Sequence, residues 1–229
     1  MGFAGNADGG AGRMYPEFYI PPYNNGRKYR TILGQMPKTQ ILSANMYELE
    51  ILRLLKIFAP DVPDAPEIDD MVCKTLVRLK NTCFGYQDDG KGECFDASLI
   101  VLRFLAAAAP NETMWIQSRI DNFKRHYDDK KRPRFCMWYY WLCLSELPLE
   151  IAESEIDMHK SAMLDWLRSK SCVINSDHDK TVHSVMLCIL RNNISRYPEY
   201  RYIKDRFPYV NECDKCPNFD MIQQQTILG

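Results

Sequence analysis

Glycine and proline divide this 229-residue chain more sharply than any other feature. Seven of the 11 glycines fall in the first 34 residues, three more are Gly85, Gly90 and Gly92, and the last is Gly229. Between these islands the chain has almost no glycine. Folds made of many tight glycine turns, such as β-sandwiches, barrels and propellers, are therefore disfavoured. No glycine-rich phosphate loop is present either. Prolines at 60, 66, 110, 133, 148, 198 and 208 bound segments of helical length. Proline suits a first turn and stops a helix interior, so this spacing reads as helix punctuation.

The predicted helices are Ser43–Ala59, Glu67–Phe84, Glu93–Ala109, Asn111–Lys131, Arg134–Leu147, Leu149–Lys170 and Asp179–Tyr197, with a short piece before Pro208. Asn111 after Pro110 is the expected N-cap of its helix. Apolar periodicity agrees. Ile68, Met71, Val72, Thr75, Leu76 and Leu79 share one helical face; so do Ile116, Ile120, Phe123 and Tyr127, and so do Val182, Val185, Met186, Ile189 and Leu190. Two segments have no polar face, Leu99–Ala109 (broken only by Arg103) and Phe135–Leu144. A helix that is apolar all round belongs in a core. The expected fold is all-α: about seven to eight helices in one domain over residues 43–210, centred on residues 95–109 and 135–147.

Residues 1–42 are different in kind. They are rich in Gly, Pro and Tyr, and Arg13, Arg27, Lys28, Arg30 and Lys38 against Asp8 and Glu17 give them a net charge of +3. Ordering glycine is entropically costly and proline cannot enter a helix interior, so a flexible arm is expected there. Residues 211–229 form the expected C-terminal tail.

Composition bounds the setting. The net charge is −1, with 46% hydrophobic and 26% charged residues, which is a globular pattern. No basic segment followed by an apolar run opens the chain, and no uncharged apolar run approaches the ~20 residues of a membrane span. The nine cysteines lie mostly in apolar stretches, where a free thiol behaves as a small core residue. A reducing compartment, cytoplasmic or nuclear, is the expectation.

Reaction motifs are scarce. There is no HExxH, GxSxG, Walker loop or dinucleotide fingerprint. Cys213 and Cys216 form the one CxxC, which could share a zinc ion with His178 and His183, or with Cys172. His159 falls on an apolar helix face and reads as a buried or boundary histidine. The run Gln87–Glu93 lacks the alternating ligands of a calcium loop and reads as a turn between helices. No catalytic residues are assigned.

Two basic clusters stand out. One holds Lys124, Arg125, Lys130, Lys131, Arg132 and Arg134. The other holds Arg191, Arg196, Arg201, Lys204 and Arg206, interleaved with Tyr197, Tyr200 and Tyr202. Arginines track phosphates and aromatic faces stack bases, so these are the candidate contacts for RNA or an anionic membrane surface. In the arm, Tyr15, Pro16 and Phe18 within Tyr15-Pro16-Glu17-Phe18 resemble the YPxΦ late-domain peptides of viral matrix proteins, and Phe207-Pro208-Tyr209-Val210 resembles their FPxV form.

The leading expectation is a non-catalytic protein–protein interaction or assembly protein that forms homo-oligomers. A viral matrix or nucleocapsid component binding RNA or acidic headgroups is the alternative. A zinc-supported module or enzyme is the third.

Overall fold

The computed structural model describes residues 31–33, 40–58, 65–86, 93–127, 135–168 and 176–206. Among these residues the secondary structure is helical, with no strand. The seven long helices are α1 (Gln40–Phe58), α2 (Ala65–Lys80), α3 (Glu93–Ala108), α4 (Thr113–Tyr127), α5 (Met137–Glu146), α6 (Leu149–Arg168) and α7 (Asp177–Ile194). A 3₁₀ turn, Pro198–Tyr200, and a one-turn helix α8, Ile203–Arg206, follow. The all-α class expected from the glycine and proline pattern is the fold observed. No helix among the described residues is long and apolar enough to cross a membrane.

The chain divides into two compact units. One contains α1 to α5 and ends at Glu146; the other contains α6 to α8 together with residues 32 and 33. The 43–210 span expected as one domain covers most of both; residues 32 and 33 and the first three residues of α1, Gln40 onward, lie in the stretch expected as the arm.

In the first unit α3 is the central element. It packs on α1, α4 and α5, and α1 packs in turn on α2. Phe95, Leu99, Ile100, Val101, Leu102, Phe104 and Leu105 of α3 are all buried, as are Tyr139 to Leu144 of α5. These are the two segments without a polar face, and burial on every side is the reason they lack one. Phe123 on α4 lies 5.0 Å from Phe135 and 5.3 Å from Tyr140, ring centre to ring centre, and Phe95 completes the cluster at 5.9 Å from Phe135. Such tilted and edge-on contacts are the favoured aromatic geometries.

Several helix ends differ from expectation, α7 among them, which runs Asp177–Ile194 rather than Asp179–Tyr197; at two ends the hydrogen bonds show the local reason. Asn111 does not cap α4. Pro110 and Asn111 are used in a turn closed by Glu112 N–H donating to the Ala109 carbonyl at 3.0 Å, and the helix begins at Thr113. Likewise α2 stops at Lys80 rather than Phe84. The Thr82 hydroxyl donates to the Leu79 carbonyl at 2.8 Å and accepts from Gly85 N–H at 3.1 Å, so this side chain replaces the next helical turn.

In the second unit α6 packs on α7, and α7 on α8. Ser176 caps α7, its hydroxyl accepting from Asp179 N–H at 3.1 Å. Asp177 and Asp179 in the first turn complement the positive end of the helix dipole. Ala152, Ile156, His159 and Met163 form the buried face of α6.

His159 is 1% exposed, and burial lowers its pKa from 6.5 to about 4. Burial shifts His183 on α7 in the same direction. The unfolded chain binds a proton between pH 6.5 and about 4 that the folded unit excludes. Stability is therefore full above the unfolded value and drains as pH falls through this window. The loss reaches about 3 kcal/mol for His159 alone. Urea unfolding followed by circular dichroism at pH 7 and pH 4.5 is expected to show the decline. In His159→Leu the pH slope should flatten, with His183 supplying what remains.

Candidate functional site

Helix α1 is partly inside out. Its inward face carries Asn45, Glu48 and Arg53 as buried polar groups beside Leu49 and Leu52. Its outward face carries Tyr47 at 46% exposure, Leu54 at 43%, Ile57 at 43% and Phe58 at 78%, with Ile51 half-buried in the same row. Polar groups inside and apolar groups outside is the reverse of an ordinary surface helix.

Other helices supply the charges that make this tolerable. Arg103 of α3 donates to Glu146 of α5 through two nitrogens, Nε to Oε2 at 2.9 Å and Nη2 to Oε1 at 2.8 Å. Its remaining Nη1 reaches Glu50 Oε1 at 2.6 Å. Arg53 Nη2 also donates to Glu146 Oε1, at 2.8 Å, and the Tyr139 hydroxyl donates to Glu50 Oε1 at 3.0 Å. Two carboxylates and two guanidinium groups cancel in formal charge, and the bidentate fork is the strong form of this pairing. Burial works against the Arg103 charge. The Glu146 hydrogen bonds and the fields of Tyr139, Glu50 and Glu146 outweigh it, so its pKa stands above the ordinary arginine value. Burial, and then the Glu50 charge, pushes the Tyr139 phenol up and keeps it a donor.

A second set joins α1 to α2. Glu48 accepts from Thr75 Oγ1 and from Arg78 Nη2, both at 3.0 Å, and Arg78 Nη1 donates to Asn45 Oδ1 at 2.6 Å. Thr75, placed by its spacing on an apolar face, is buried, and its hydroxyl is used on Glu48.

The inward face of α1 is thus committed to its neighbours, while no described residue covers the outward row. Residues 47, 51, 54 and 58 are separated by four, three and four positions, the period of a coiled-coil seam. Sequence reading placed a helix here but did not single out this row. The signal was present in the spacing. It was masked by Leu49 and Leu52, which make the helix look apolar without direction.

The residues expected to bind RNA or headgroups are distributed as follows. Lys124 and Arg125 sit in the last turn of α4, half-buried and exposed respectively. Lys130, Lys131, Arg132 and Arg134 lie outside the described residues. Arg191 is half-buried in the last turn of α7, Arg201 and Lys204 are exposed, Tyr202 is half-buried, and Arg206 ends α8. Arg196 donates to the Leu147 carbonyl at 2.8 Å, which fixes the segment after α7 to the start of the unit. Tyr197 and Tyr200 both meet Lys160 of α6, whose ammonium lies 3.8 Å from one ring centre and 5.2 Å from the other. Lys160 also binds Glu199 at 2.9 Å. One face of each tyrosine is therefore taken by an internal cation–π contact.

Tyr15, Pro16 and Phe18, the Phe207–Val210 run, and the zinc candidates Cys213, Cys216 and Cys172 lie outside the described residues. His183 is buried with its ring 5.4 Å from that of Trp166, and His178 is exposed. Among the described residues no group of three or more His, Cys, Asp or Glu side chains could hold a metal ion. No protein-family model matches the chain, and no curated protein or solved structure does so either.

Proposed function

We propose that the chain is a non-catalytic assembly protein that pairs with a second copy of itself through the outward face of α1. One observation carries this reading: the exposed row of Tyr47, Leu54 and Phe58, continued by half-buried Ile51 and flanked by Ile57. Single exposed apolar residues are ordinary, but a contiguous row on one helix face marks a contact surface. Covering each large side chain is worth about 1.5–3 kcal/mol when it leaves water completely.

A second copy fits because the row is self-complementary. Around a two-fold axis the same patch meets itself, and Ile51 and Leu54 occupy the middle, where facing helices interdigitate. The charged clusters behind the row support a scaffold role. Their carboxylates and guanidinium groups are engaged with one another and hold the helix that presents the seam.

The variants Leu54→Glu and Phe58→Glu test this. Both positions are exposed, so the helical circular dichroism should remain native. Self-association measured by light scattering should weaken at least tenfold, because a carboxylate would have to be buried in the apolar seam. Unchanged association in both variants would remove α1 from the interface.

A further inference from the structure

Cys83 and Cys94 flank the connection between α2 and α3, and their sulfur atoms lie 3.5 Å apart. Both residues are half-buried. Each is held by firm structure. Cys83 belongs to the turn in which Gly85 and Tyr86 offer their carbonyls to Trp115 and Arg119, each at 2.8 Å. Cys94 is the second residue of the central helix α3.

A disulfide has an S–S bond of about 2.0 Å, so roughly 1.5 Å of closure is needed. Rotation of the two side chains is the motion that would bring the sulfur atoms together. Metal binding is the competing use for two close thiols. A tetrahedral zinc site needs four ligands, and no group of three or more ligating side chains occurs among the described residues. The thiols of Cys136 and Cys143 are held protonated, burial pushing both up, so they compete poorly as nucleophiles.

We propose that Cys83 and Cys94 are a thiol–disulfide modification site whose co-substrate is a low-molecular-weight disulfide, RSSR. One cysteine thiolate attacks an RSSR sulfur, forming a protein–SR mixed disulfide and expelling RS⁻. The second thiolate attacks the protein sulfur of that mixed disulfide, closes the Cys83–Cys94 bond and expels a second RS⁻. The protein loses two protons and two electrons, and RSSR is reduced to two RSH. The reverse exchange reopens the bond. When closed, it ties the end of α2 covalently to the start of α3.

Peptide mapping of the full-length chain tests this directly. The reduced protein is incubated with glutathione disulfide, quenched in acid, alkylated and digested with trypsin. Cleavage after Lys80, Lys91 and Arg103 places Cys83 and Cys94 in separate peptides, 81–91 and 92–103, each with no other cysteine. The expected product is these two peptides joined, two hydrogens lighter than their sum, as the main crosslink among nine cysteines. Dithiothreitol should release it. Cys83→Ser should leave Cys94 as a glutathione mixed disulfide, and Cys94→Ser should do the same for Cys83. Recovery of both peptides unlinked from the native chain, whether alkylated or each carrying glutathione, would overturn the proposal. So would a crosslink joining either cysteine to a different peptide.

Discussion

Replacing Arg103 with methionine is expected to destabilise the α1–α5 unit by about 3–5 kcal/mol, the scale for removing one partner from a buried ionic cluster. Methionine fills much of the same space, so a cavity is not the main cost. The cost is electrostatic. Glu146 loses two of the hydrogen bonds it receives and keeps the one from Arg53; Glu50 loses its 2.6 Å bond and keeps the Tyr139 hydroxyl. The cluster then carries one excess negative charge in a site whose guanidinium groups were nearly closed to water. A cycle separates this from simple packing. Glu146→Gln added to Arg103→Met restores charge balance, so the double variant should be more stable than the sum of the two single losses by about 1–3 kcal/mol. Urea midpoints give all four corners. Strict additivity would mean that the cluster contributes packing alone.

Gly85→Ala should cost about 3 kcal/mol. A β-carbon there would lie 2.6 Å from Thr82 Oγ1 and deep inside contact distance of the Leu79 carbonyl oxygen. Neither neighbour is free to retreat. The Leu79 oxygen accepts from Thr82 N–H at 3.0 Å and from the Thr82 hydroxyl at 2.8 Å, at the end of α2. Moving the turn outward would strain the Trp115 bond to the Gly85 carbonyl and the Arg119 bond to Tyr86. Overpacking of a fixed site costs ~1–3 kcal/mol, and stranding a buried donor adds a similar amount. A loss below about 1 kcal/mol, read from denaturant unfolding, would show that the turn relaxes without breaking those bonds.

The sequence carried the fold well where one residue determines its own environment. Proline is admitted to a first turn but stops a helix interior, so the order of elements could be read from Pro60, Pro110, Pro148 and Pro198. Phe135–Leu144 has no polar residue, and only burial on all sides suits such a helix. Helix ends were less legible because they depend on which side chain reaches a free backbone group. Thr82 ending α2 and Ser176 opening α7 are both hydroxyl contacts over three residues.

The candidate site was harder to read because its logic is long-range. Nothing within α1 shows that Glu50 and Arg53 turn toward Arg103 and Glu146, and without those partners the outward row cannot be told from the inward one. The tyrosines near residue 200 give the opposite case. Their interleaving with arginine resembled a nucleic-acid surface, but Lys160, distant in sequence, lies over two of the rings. The Cys83–Cys94 approach likewise depends on where the turn after α2 lies against the start of α3, which the spacing of the two residues does not reveal.

Self-association through α1 is the central claim, and sedimentation equilibrium of the full-length native chain under reducing conditions measures it most directly. The account predicts a reversible monomer–dimer equilibrium whose limiting mass is twice that of the chain and which Leu54→Glu shifts to monomer. A single monomer mass across the whole range from micromolar to hundreds of micromolar chain would contradict it.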